Sequence, residues 1–449
     1  MADKARRAAV AALVRTHQGA WASQAIDSAL ASSALSGRDR AFAAALFFGT
    51  LERRATLDFL LAPRLARPVE KLDVEVRAIL ESGLYQMLWM RVPNSAAVNE
   101  AVKLARSFGK SSAAGFVNAV LRKSLSAIHR AGDAQRPAGV DFSQFGFGDE
   151  AVRVQVTWSV SPAVAAAVMQ ALPGDYDAFF EASFSTGEVC LRTNTLKTTP
   201  AALEDALKKA GAVVRGGQVP GSLYARLAVP VAEDPLFQQG AYHVQGEASQ
   251  LACACVNAKP GMNVLDVCAA PGGKSATLAQ QMGGGAGLTA CELHQHRLPL
   301  IAETFQRLGI TGAAMLQQDA TQPNETLAGQ HAVLCDVPCS GLGVLATKPD
   351  LRTADGTGFL ALPAIQMKCL ATASRYVSKG GRLVYSTCTV RPQENEDVVR
   401  AFLAAAPGFA LLPPPFVPNG ALLRDDMMTL LPHRTGMDGF FVATMERMW

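Results

Sequence analysis

The 449-residue chain lacks several features that define common classes of protein. It has no run of about 18 uncharged apolar residues, so we expect no transmembrane helix. The first residues, MADKARRAAVAALVRTH, alternate charged side chains with alanine and do not resemble a secretory signal. With 49% hydrophobic and 18% charged residues, the chain is too apolar to be disordered. At ~150 residues per domain, its length predicts two to four domains.

Cysteine is absent from the first 189 residues, and the nine cysteines that follow form no pair of C-x-x-C motifs. This odd, scattered set argues against a disulfide framework, so we expect a reducing, cytoplasmic setting. Histidines are also scattered. His294 and His296 are two positions apart and would point in different directions on a helix. We therefore expect no metal site.

Charge is unevenly distributed along the chain. Residues 1–130 hold 19 Lys and Arg but 10 Asp and Glu, a net charge of +9, whereas the remainder carries −5. A basic N-terminal third favours a polyanionic partner. A solvated helical surface would give the same bias, so charge alone leaves both interpretations open.

The spacing of apolar residues predicts an all-α bundle over residues 1–132. In 74–90 they recur every three or four positions, as on one face of a helix. A second helix is expected to begin at Asn94 or Ser95, and the apolar residues of 116–121 indicate another. We expect the Leu, Phe and Trp side chains of this segment to form its core.

Composition then divides the rest of the chain. Gly, Pro and Asp interrupt the helical pattern over 133–150, which predicts a linker. Mixed short helices and strands over 151–245 predict a small α+β unit. Within it we expect a strand and turn at 191–197 and a helix at 199–211 that Gly211 ends.

From residue 246 to 449, short apolar strands alternate with helices such as 294–308 and 361–377. This alternation predicts a parallel, doubly wound α/β sheet of the Rossmann-like kind. The candidate strands are 263–269, 287–293, 313–318, 331–337, 381–387 and 439–445. The chain is thus expected to be multidomain, with an all-α bundle, a small α+β unit and a Rossmann-like domain.

A glycine turn, DVCAAPGGK at 266–274, follows the first strand of that domain. Its small residues let the backbone approach a ligand, and the free N–H groups of the next helix can face a carboxylate or phosphate. Glu292 and Asp319 end the next two strands, where an acid can bind ribose hydroxyls. Neither the dinucleotide spacing G-x-G-x-x-G nor the P-loop pattern occurs. The pattern predicts a site for a nucleoside-bearing cofactor.

Two cysteines follow two later strands. Cys339 lies in DVPCSGLG and Cys388 in STCT. The strands 331–337 and 381–387 should be neighbours, so both thiols should reach the cofactor cleft. A single cysteine is usually a small buried apolar residue. Two of them in polar turns of small residues favour nucleophilic thiolate chemistry.

One reaction needs this combination of groups. Carbon 5 of cytosine is too electron-poor to attack a methyl donor directly, and a thiolate that adds to carbon 6 makes carbon 5 nucleophilic. Carbon 5 then takes a methyl group from a sulfonium donor. Loss of the carbon 5 proton finally expels the thiolate.

The chain resembles the RNA 5-methylcytosine methyltransferases, which use S-adenosylmethionine, in DVCAAPGGK, DVPCSGLG and YSTCTVRPQENED. It is similar to their flanking motifs in RTNTL (192–196), QGEASQL (245–251) and GMDGFFVA (436–443). Its first segment resembles the NusB-like RNA-binding domain in RDRAFAAALFFGTLERRATLDFLL and ILESGLYQMLWMRVP. Together these resemble the RsmB (Sun/Fmu) type of 16S ribosomal RNA methyltransferase. The resemblance implies methylation of carbon 5 of a cytosine in that RNA, expected at cytosine 967 in its usual numbering.

The resemblance also implies roles for the motif residues. Cys388 would attack carbon 6, and Cys339 would assist release of the product. In DNA cytosine methyltransferases the cysteine of the Pro-Cys motif is the attacker, so the residues alone leave the two roles open. Asp336 would contact the base edge and lie near the cofactor.

The implied cofactor is S-adenosylmethionine. Its methionine part would lie against Cys268, Ala269, Ala270, Pro271, Gly272, Gly273 and Lys274. Glu292 would hold its ribose, and Asp319 would approach its adenine. Lys274 could equally be a solvent-facing lysine at the start of a helix.

The implied partner is 16S ribosomal RNA, whose target base must leave its stack. We expect Arg192 and Asn194 to form one wall of the RNA groove. We expect arginines of the basic bundle to bind phosphates in a salt-sensitive way, namely Arg38, Arg40, Arg53, Arg54 and Arg67. The family's basic stretch after DVPCSGLG is thin here, with only Lys348 and Arg352, and Gly246 stands where an acid is common. We expect a monomer with no membrane or metal partner.

Three alternatives stay open. A nicotinamide-dependent oxidoreductase would use the same fold, but its glycine spacing and proton relay are not found. A non-catalytic RNA-binding assembly factor would lack one of the cysteines or cofactor acids, and all are present. The same chemistry could act on tRNA or 23S RNA. The NusB-like extension favours the small-subunit RNA by analogy only.

Overall fold

The computed structural model describes residues 2–33, 35, 37–132, 137–184 and 186–449. The chain divides into two compact units. The helical unit comprises Met1–Met169 and Thr347–Asp355, and the sheet unit comprises Gln170–Ala346 and Gly356–Trp449. No helix among the described residues is both long and apolar enough to cross a membrane.

Helices build almost all of the helical unit. They are α1 (Lys4–His17), α2 (Ala22–Ala31), α3 (Gly37–Glu52), α4 (Arg54–Leu61), α5 (Val74–Trp89), α6 (Asn94–Ser107), α7 (Ala114–Ala127), α8 (Glu150–Trp158) and α9 (Pro162–Ala171). Asp3 and Asp73 begin α1 and α5 by accepting hydrogen bonds from backbone N–H groups of the first turn. The core is formed by fully buried side chains such as Leu13, Phe47 and Ile79. The predicted bundle is therefore confirmed, but Trp21 is 61% exposed and lies outside its core.

A short hairpin occupies part of the segment predicted to be a linker. Strands β1 (Arg130–Gly132) and β2 (Pro137–Val140) pair antiparallel, and residues 133–136 lie outside the described part of the chain. Val140 belongs to the core of the helical unit, and Phe142 and Phe145 pack against it. The stretch from Val140 to Phe145 is thus held to the helical unit by apolar contacts.

The segment Thr347–Asp355 folds with the helical unit although it follows the Cys339 motif in sequence. The N–H of Ala22 donates to the Asp350 carboxylate, and the Ser161 hydroxyl donates to the carbonyl of Ala354. Arg352 is fully buried and donates to the carbonyl of Trp158 at 2.9 Å. Arg352 is therefore not available as a loop contact to RNA.

The first part of the sheet unit is α+β. Its elements are α10 (Tyr176–Ala182), β3 (Val189–Thr193), α11 (Pro200–Lys209), β4 (Val213–Gly216), β5 (Ser222–Arg226), α12 (Pro235–Gln238) and β6 (Tyr242–Val244). The strands form an antiparallel sheet in the order β4-β5-β3-β6. Leu203 and Leu207 of α11 pack with Leu191, Leu223 and Tyr242 of the sheet. The expected strand near 191 and the helix before Gly211 are both present.

The rest of the sheet unit contains one large sheet. Its elements are α13 (Glu247–Val256), β7 (Val264–Asp266), α14 (Gly273–Gln281), β8 (Leu288–Glu292), α15 (Leu298–Leu308), β9 (Ala314–Gln317), β10 (Gln330–Asp336), α16 (Leu362–Ser374), β11 (Val377–Thr387), α17 (Glu396–Ala405), β12 (Phe409–Leu412), β13 (Leu422–Arg424), β14 (Met427–Leu430), α18 (Pro432–Thr435) and β15 (Phe440–Arg447). The strand order is β13-β14-β15-β11-β10-β7-β8-β9, and β12 pairs with β15. Apolar residues on both faces of β7 and β10 are buried, as a covered parallel sheet requires.

The Rossmann-like fold is confirmed for the strands from β7 to β11, which pair parallel to one another. The prediction of an entirely parallel sheet is wrong at the carboxyl end. There β15 pairs antiparallel with β11, β12 and β14. Only a short stretch containing α18 joins β14 to β15. Because a parallel crossover needs a dozen or more residues, these two strands must run antiparallel. An apolar strand sequence does not reveal this direction.

Candidate active site

The glycine turn after β7 leaves an open space at the start of α14. Gly272 has a φ of +106°, and a Cβ there would lie 3.2 Å from the Cα of Ile301. A Cβ on Gly273 would meet no atom within 4 Å. The first position thus requires glycine for its conformation, whereas the second keeps free space beside backbone N–H groups. This cradle fits a ligand that brings a carboxylate to a helix start.

Asp266 supports this turn from beneath, and the sequence did not single it out. Its carboxylate accepts hydrogen bonds from the Ser275 hydroxyl at 2.6 Å and from the N–H of Cys268 at 3.3 Å. Burial raises the pKa of Asp266 to about 6. The signal was available, since Asp266 is the polar residue that ends an apolar strand.

Glu292 ends β8, the neighbour of β7, and Asp319 follows β9, the next strand beyond β8. Glu292 is 4% exposed and accepts a hydrogen bond from the N–H of His294 at 3.0 Å. Asp319 accepts from the N–H and the hydroxyl of Thr321, both at 2.8 Å. Because β7, β8 and β9 are parallel neighbours, both acids lie at the same sheet edge as the glycine turn. The sequence predicted this grouping.

Cys339 and Cys388 are brought into direct contact. The strands before them, β10 and β11, pair in parallel, with Asp336 opposite Ser386. The two sulfur atoms lie 3.3 Å apart, and both residues are partly exposed. Cys253 and Cys291 are instead buried, and burial raises the pKa of each to about 12. Among the described cysteines, the pair at the strand ends combines access with mutual contact.

Lys274 joins the glycine turn to the Cys339 motif. Its Nζ lies 2.8 Å from Oδ2 of Asp336, and the Ser386 hydroxyl donates to Oδ1 of Asp336 at 2.7 Å. Burial by itself would lower the pKa of Lys274, but the Asp336 carboxylate raises it above its usual value. The structure therefore places Lys274 in the cleft and excludes the solvent-facing alternative.

A buried network ties the two cysteine turns together. Glu394, from the RPQENED motif, is fully buried and accepts from the N–H of Ser340 and the amide of Gln366, each at 2.9 Å. Arg391 donates to its other oxygen at 2.8 Å. The hydroxyls of Ser340 and Thr389 are 2.7 Å apart. These residues flank Cys339 and Cys388, and the sequence pattern alone predicted no role for them.

The predicted RNA contacts of Arg192, Asn194 and Arg54 are wrong. Arg192 is 7% exposed and donates to the carbonyl of Pro220, and Asn194 is fully buried and donates to the carbonyls of Gly240 and Leu308. These side chains satisfy backbone groups inside the sheet unit and cannot form the wall of an RNA groove. Arg54 is 9% exposed and donates to the Thr16 hydroxyl, so it faces the interior of the helical unit.

The fold and the cleft place the protein in the class of Rossmann-like methyltransferases, here with a helical bundle in the same chain. Comparison with known proteins agrees for both parts. A family model described as 16S rRNA methyltransferase RsmB/F matches residues 253–446, and the NusB family model matches residues 3–126.

Relatives and solved structures extend the match over nearly the whole chain. The probable ribosomal RNA small subunit methyltransferase B of Bacillus subtilis (strain 168) is 33% identical over 98% of each chain. The ribosomal RNA small subunit methyltransferase B of Pseudomonas putida is 32% identical over 91% of this chain and 90% of its own. The crystal structure of PH0851 has the same fold, with a TM-score of 0.83 over 99% of this chain and 24% identity. The chain belongs to the RsmB/F family of 16S rRNA methyltransferases, and it is an RNA methyltransferase.

Proposed function

We propose that the chain methylates carbon 5 of a cytosine in 16S ribosomal RNA, with S-adenosylmethionine as the methyl donor and a covalent bond between Cys388 and the base. The 3.3 Å contact between the Cys339 and Cys388 sulfurs carries this proposal. Methyl transfer to a nitrogen or a ribose oxygen has no use for a pair of thiols. Transfer to carbon 5 needs one thiol to activate the ring and a group that helps to discharge the adduct.

The residues of the glycine turn fit the proposed donor. The open space beside Gly273 and the N–H groups at the start of α14 suit the amino-acid part, against residues 268–274. Glu292 suits the ribose hydroxyls, and Asp319 lies where the adenine would follow. S-Adenosylmethionine supplies an electrophilic methyl group and leaves as a neutral thioether.

Cys388 is proposed as the nucleophile. Its thiolate adds to carbon 6 of the cytosine, and the ring electrons move to carbon 5. After carbon 5 has gained the methyl group, its proton passes to a solvent water molecule. The electrons of that C–H bond then restore the ring as the Cys388–C6 bond breaks and Cys388 leaves as a thiolate. Cys339 lies beside the breaking bond and is proposed to assist this release.

Asp336 and Lys274 are proposed to hold the base edge. Both lie at the end of the cleft that contains Cys388, and they form an ion pair at 2.8 Å. The Lys274 ammonium can donate to an acceptor on the ring, and the Asp336 carboxylate can accept from the exocyclic amine of cytosine. A base must leave its stack to reach these groups.

The helical unit is proposed to bind RNA through phosphates. Its described surface exposes basic residues such as Arg38 and Arg67, whereas Arg54 is buried and does not belong to this exposed set. Such contacts add affinity without reading sequence. We infer that this unit raises the affinity for the RNA and that the sheet unit performs the chemistry.

A methyl-transfer assay on free 16S RNA tests the proposal, with labelled S-adenosylmethionine and mapping of the product. The unmodified protein should form 5-methylcytosine, expected at cytosine 967, and should leave tRNA and 23S RNA unmethylated. Cys388→Ala should be inactive. Cys339→Ala should accumulate a protein–RNA complex that survives denaturation. A fully active Cys388→Ala protein would refute the covalent mechanism, and a product other than 5-methylcytosine would refute the reaction.

A further inference from the structure

The two sulfurs of the site lie in unequal surroundings. On the Cys339 side, the carboxylate of Glu394 is fully buried and accepts the N–H of the very next residue, Ser340, at 2.9 Å. Arg391, at 2.8 Å, compensates part of this charge from the opposite oxygen. A buried negative charge so close to a thiol opposes its ionisation.

The Cys388 side has a positive charge instead. Lys274 Nζ lies 2.8 Å from Asp336, which compensates part of its charge and stands opposite Ser386, two residues before Cys388. The ammonium is near enough that negative charge on Cys388 contributes, after Asp336 and Cys253, to raising the pKa of Lys274. An ammonium near a thiol favours the thiolate. Because the two sulfurs lie 3.3 Å apart, ionisation of one thiol leaves a sulfur that can accept a hydrogen bond from the other. The negative charge beside Cys339 and the positive charge beside Cys388 both favour Cys388 as the sulfur that ionises first.

The groups that face Cys339 also disfavour its thiolate form. They are the Cys388 sulfur, the Tyr385 phenol, the Glu394 carboxylate and the N–H of Gly341. Contact with Cys388, then burial, and then the charge of Glu394 raise the pKa of Cys339 well above its usual value, whereas the Gly341 N–H has a weaker opposite effect. Tyr385 is itself fully buried and donates to the carbonyl of Glu394, so it adds no charge.

We propose that Glu394 is a positioning residue that holds the Cys339 loop against Cys388 and keeps Cys339 in its protonated, thiol form. Cys388 is thereby left as the sulfur that can attack. This assignment explains, from charges within the chain, why the second cysteine rather than the one in the Pro-Cys motif would be the nucleophile. It rests on the proposed covalent mechanism, but the location of the proton can be measured without RNA or methyl donor.

The experiment follows alkylation by iodoacetamide at single cysteines against pH, with the modified peptides quantified by mass spectrometry. In the Cys388→Ala protein, adding Glu394→Gln should move the midpoint for alkylation of Cys339 down by about one pH unit, the shift that one neighbouring like charge produces. Asp397→Asn serves as the matched control, because Asp397 is exposed and lies three residues away. It should leave the midpoint unchanged.

An unchanged Cys339 midpoint in a folded Glu394→Gln protein would overturn the proposal. If that variant does not fold, a second comparison decides. Cys388 in the Cys339→Ala protein should react at a lower pH than Cys339 in the Cys388→Ala protein, and the reverse order would refute the assignment. Both measurements are independent of methyl transfer, so their failure is distinct from failure of the proposed reaction.

Discussion

The Lys274 ammonium and the Asp336 carboxylate form an ion pair at 2.8 Å that joins the start of α14 to the end of β10. The two side chains are 19% and 21% exposed, so neither is fully hydrated. Each residue belongs to a different motif of the cleft, and their contact fixes the distance between the glycine turn and the loop of Cys339. Any change to one partner leaves the other charge poorly solvated.

We predict that Lys274→Met lowers methyl transfer by at least about 100-fold and destabilises the sheet unit by about 2 kcal/mol, because it strands Asp336 in the cleft. Thermal unfolding and single-turnover methyl transfer measure the two effects. Lys259→Met is the matched control, since Lys259 is exposed in the same unit. Similar activities for the two variants would contradict the role of the ion pair.

A second prediction concerns pH and Asp266. Its folded pKa, about 6, lies above the unfolded value near 3.8 because the carboxyl is buried. The folded protein therefore holds the proton more tightly, and stability falls as pH rises from about 4 to above 6. Asp266→Asn keeps the acceptor for Ser275 and removes the charge.

In that variant, the free energy of unfolding should depend less on pH between 4 and 7, with a gain of about 2 to 3 kcal/mol at pH 7. Denaturation followed at half-unit steps of pH measures the slope. Asp397→Asn, an exposed carboxylate, should retain the slope of the unmodified protein. An identical slope in Asp266→Asn would show that Asp266 does not titrate in this range.

A third prediction separates two residues of the same short basic stretch. Arg352 is fully buried in the helical unit, whereas Lys348 is exposed. Arg352→Ala should cost about 3 kcal/mol of stability, since it opens a cavity and removes the donor from the carbonyl of Trp158. Lys348→Ala should change stability by less than about 0.5 kcal/mol. Thermal melting of the two proteins side by side tests this, and equal melting temperatures would contradict it.

The sequence was sufficient where a residue's place follows from strand order. Cys339 and Cys388 could be paired because both follow apolar strands that neighbour each other in a parallel sheet, and Glu292 and Asp319 could be placed in the same way. The sequence-based prediction failed for residues whose burial depends on segments that are distant in sequence. Arg192 and Asn194 look like surface residues of a strand, yet their partners are carbonyls about 28 and 46 to 114 positions away.

Glu394 is another residue whose burial the sequence pattern does not predict. The acidic residues in RPQENED are typical of a solvent-exposed helix start. Glu394 is instead a buried acceptor, because Ser340, Gln366 and Arg391 donate hydrogen bonds to its carboxylate. The segment Thr347–Asp355 is also invisible to periodicity, since it holds only short 3-10 turns and its contacts lie far off in sequence. Long-range hydrogen bonds decided these positions.

The membership of Thr347–Asp355 in the helical unit also changes how RNA binding should be tested. Removing residues 1–130 would take away groups that this segment contacts, such as Ala22, and could disturb the Cys339 loop that precedes it. Surface substitutions avoid this problem. Arg38 and Arg67 are exposed, and replacing each by alanine removes charge without touching the core.

We predict that the Arg38→Ala, Arg67→Ala protein binds 16S RNA several-fold more weakly. The slope of log affinity against log salt should shrink by about one for each phosphate that the protein no longer neutralises. The rate of methyl transfer at saturating RNA should be unchanged, because we propose that the sheet unit alone performs the chemistry. Arg424→Ala, an exposed arginine of β13, serves as the control and should alter neither quantity. Filter binding at several salt concentrations and single-turnover assays measure the two quantities, and a slower chemical step with unchanged affinity would assign these arginines to catalysis instead of binding.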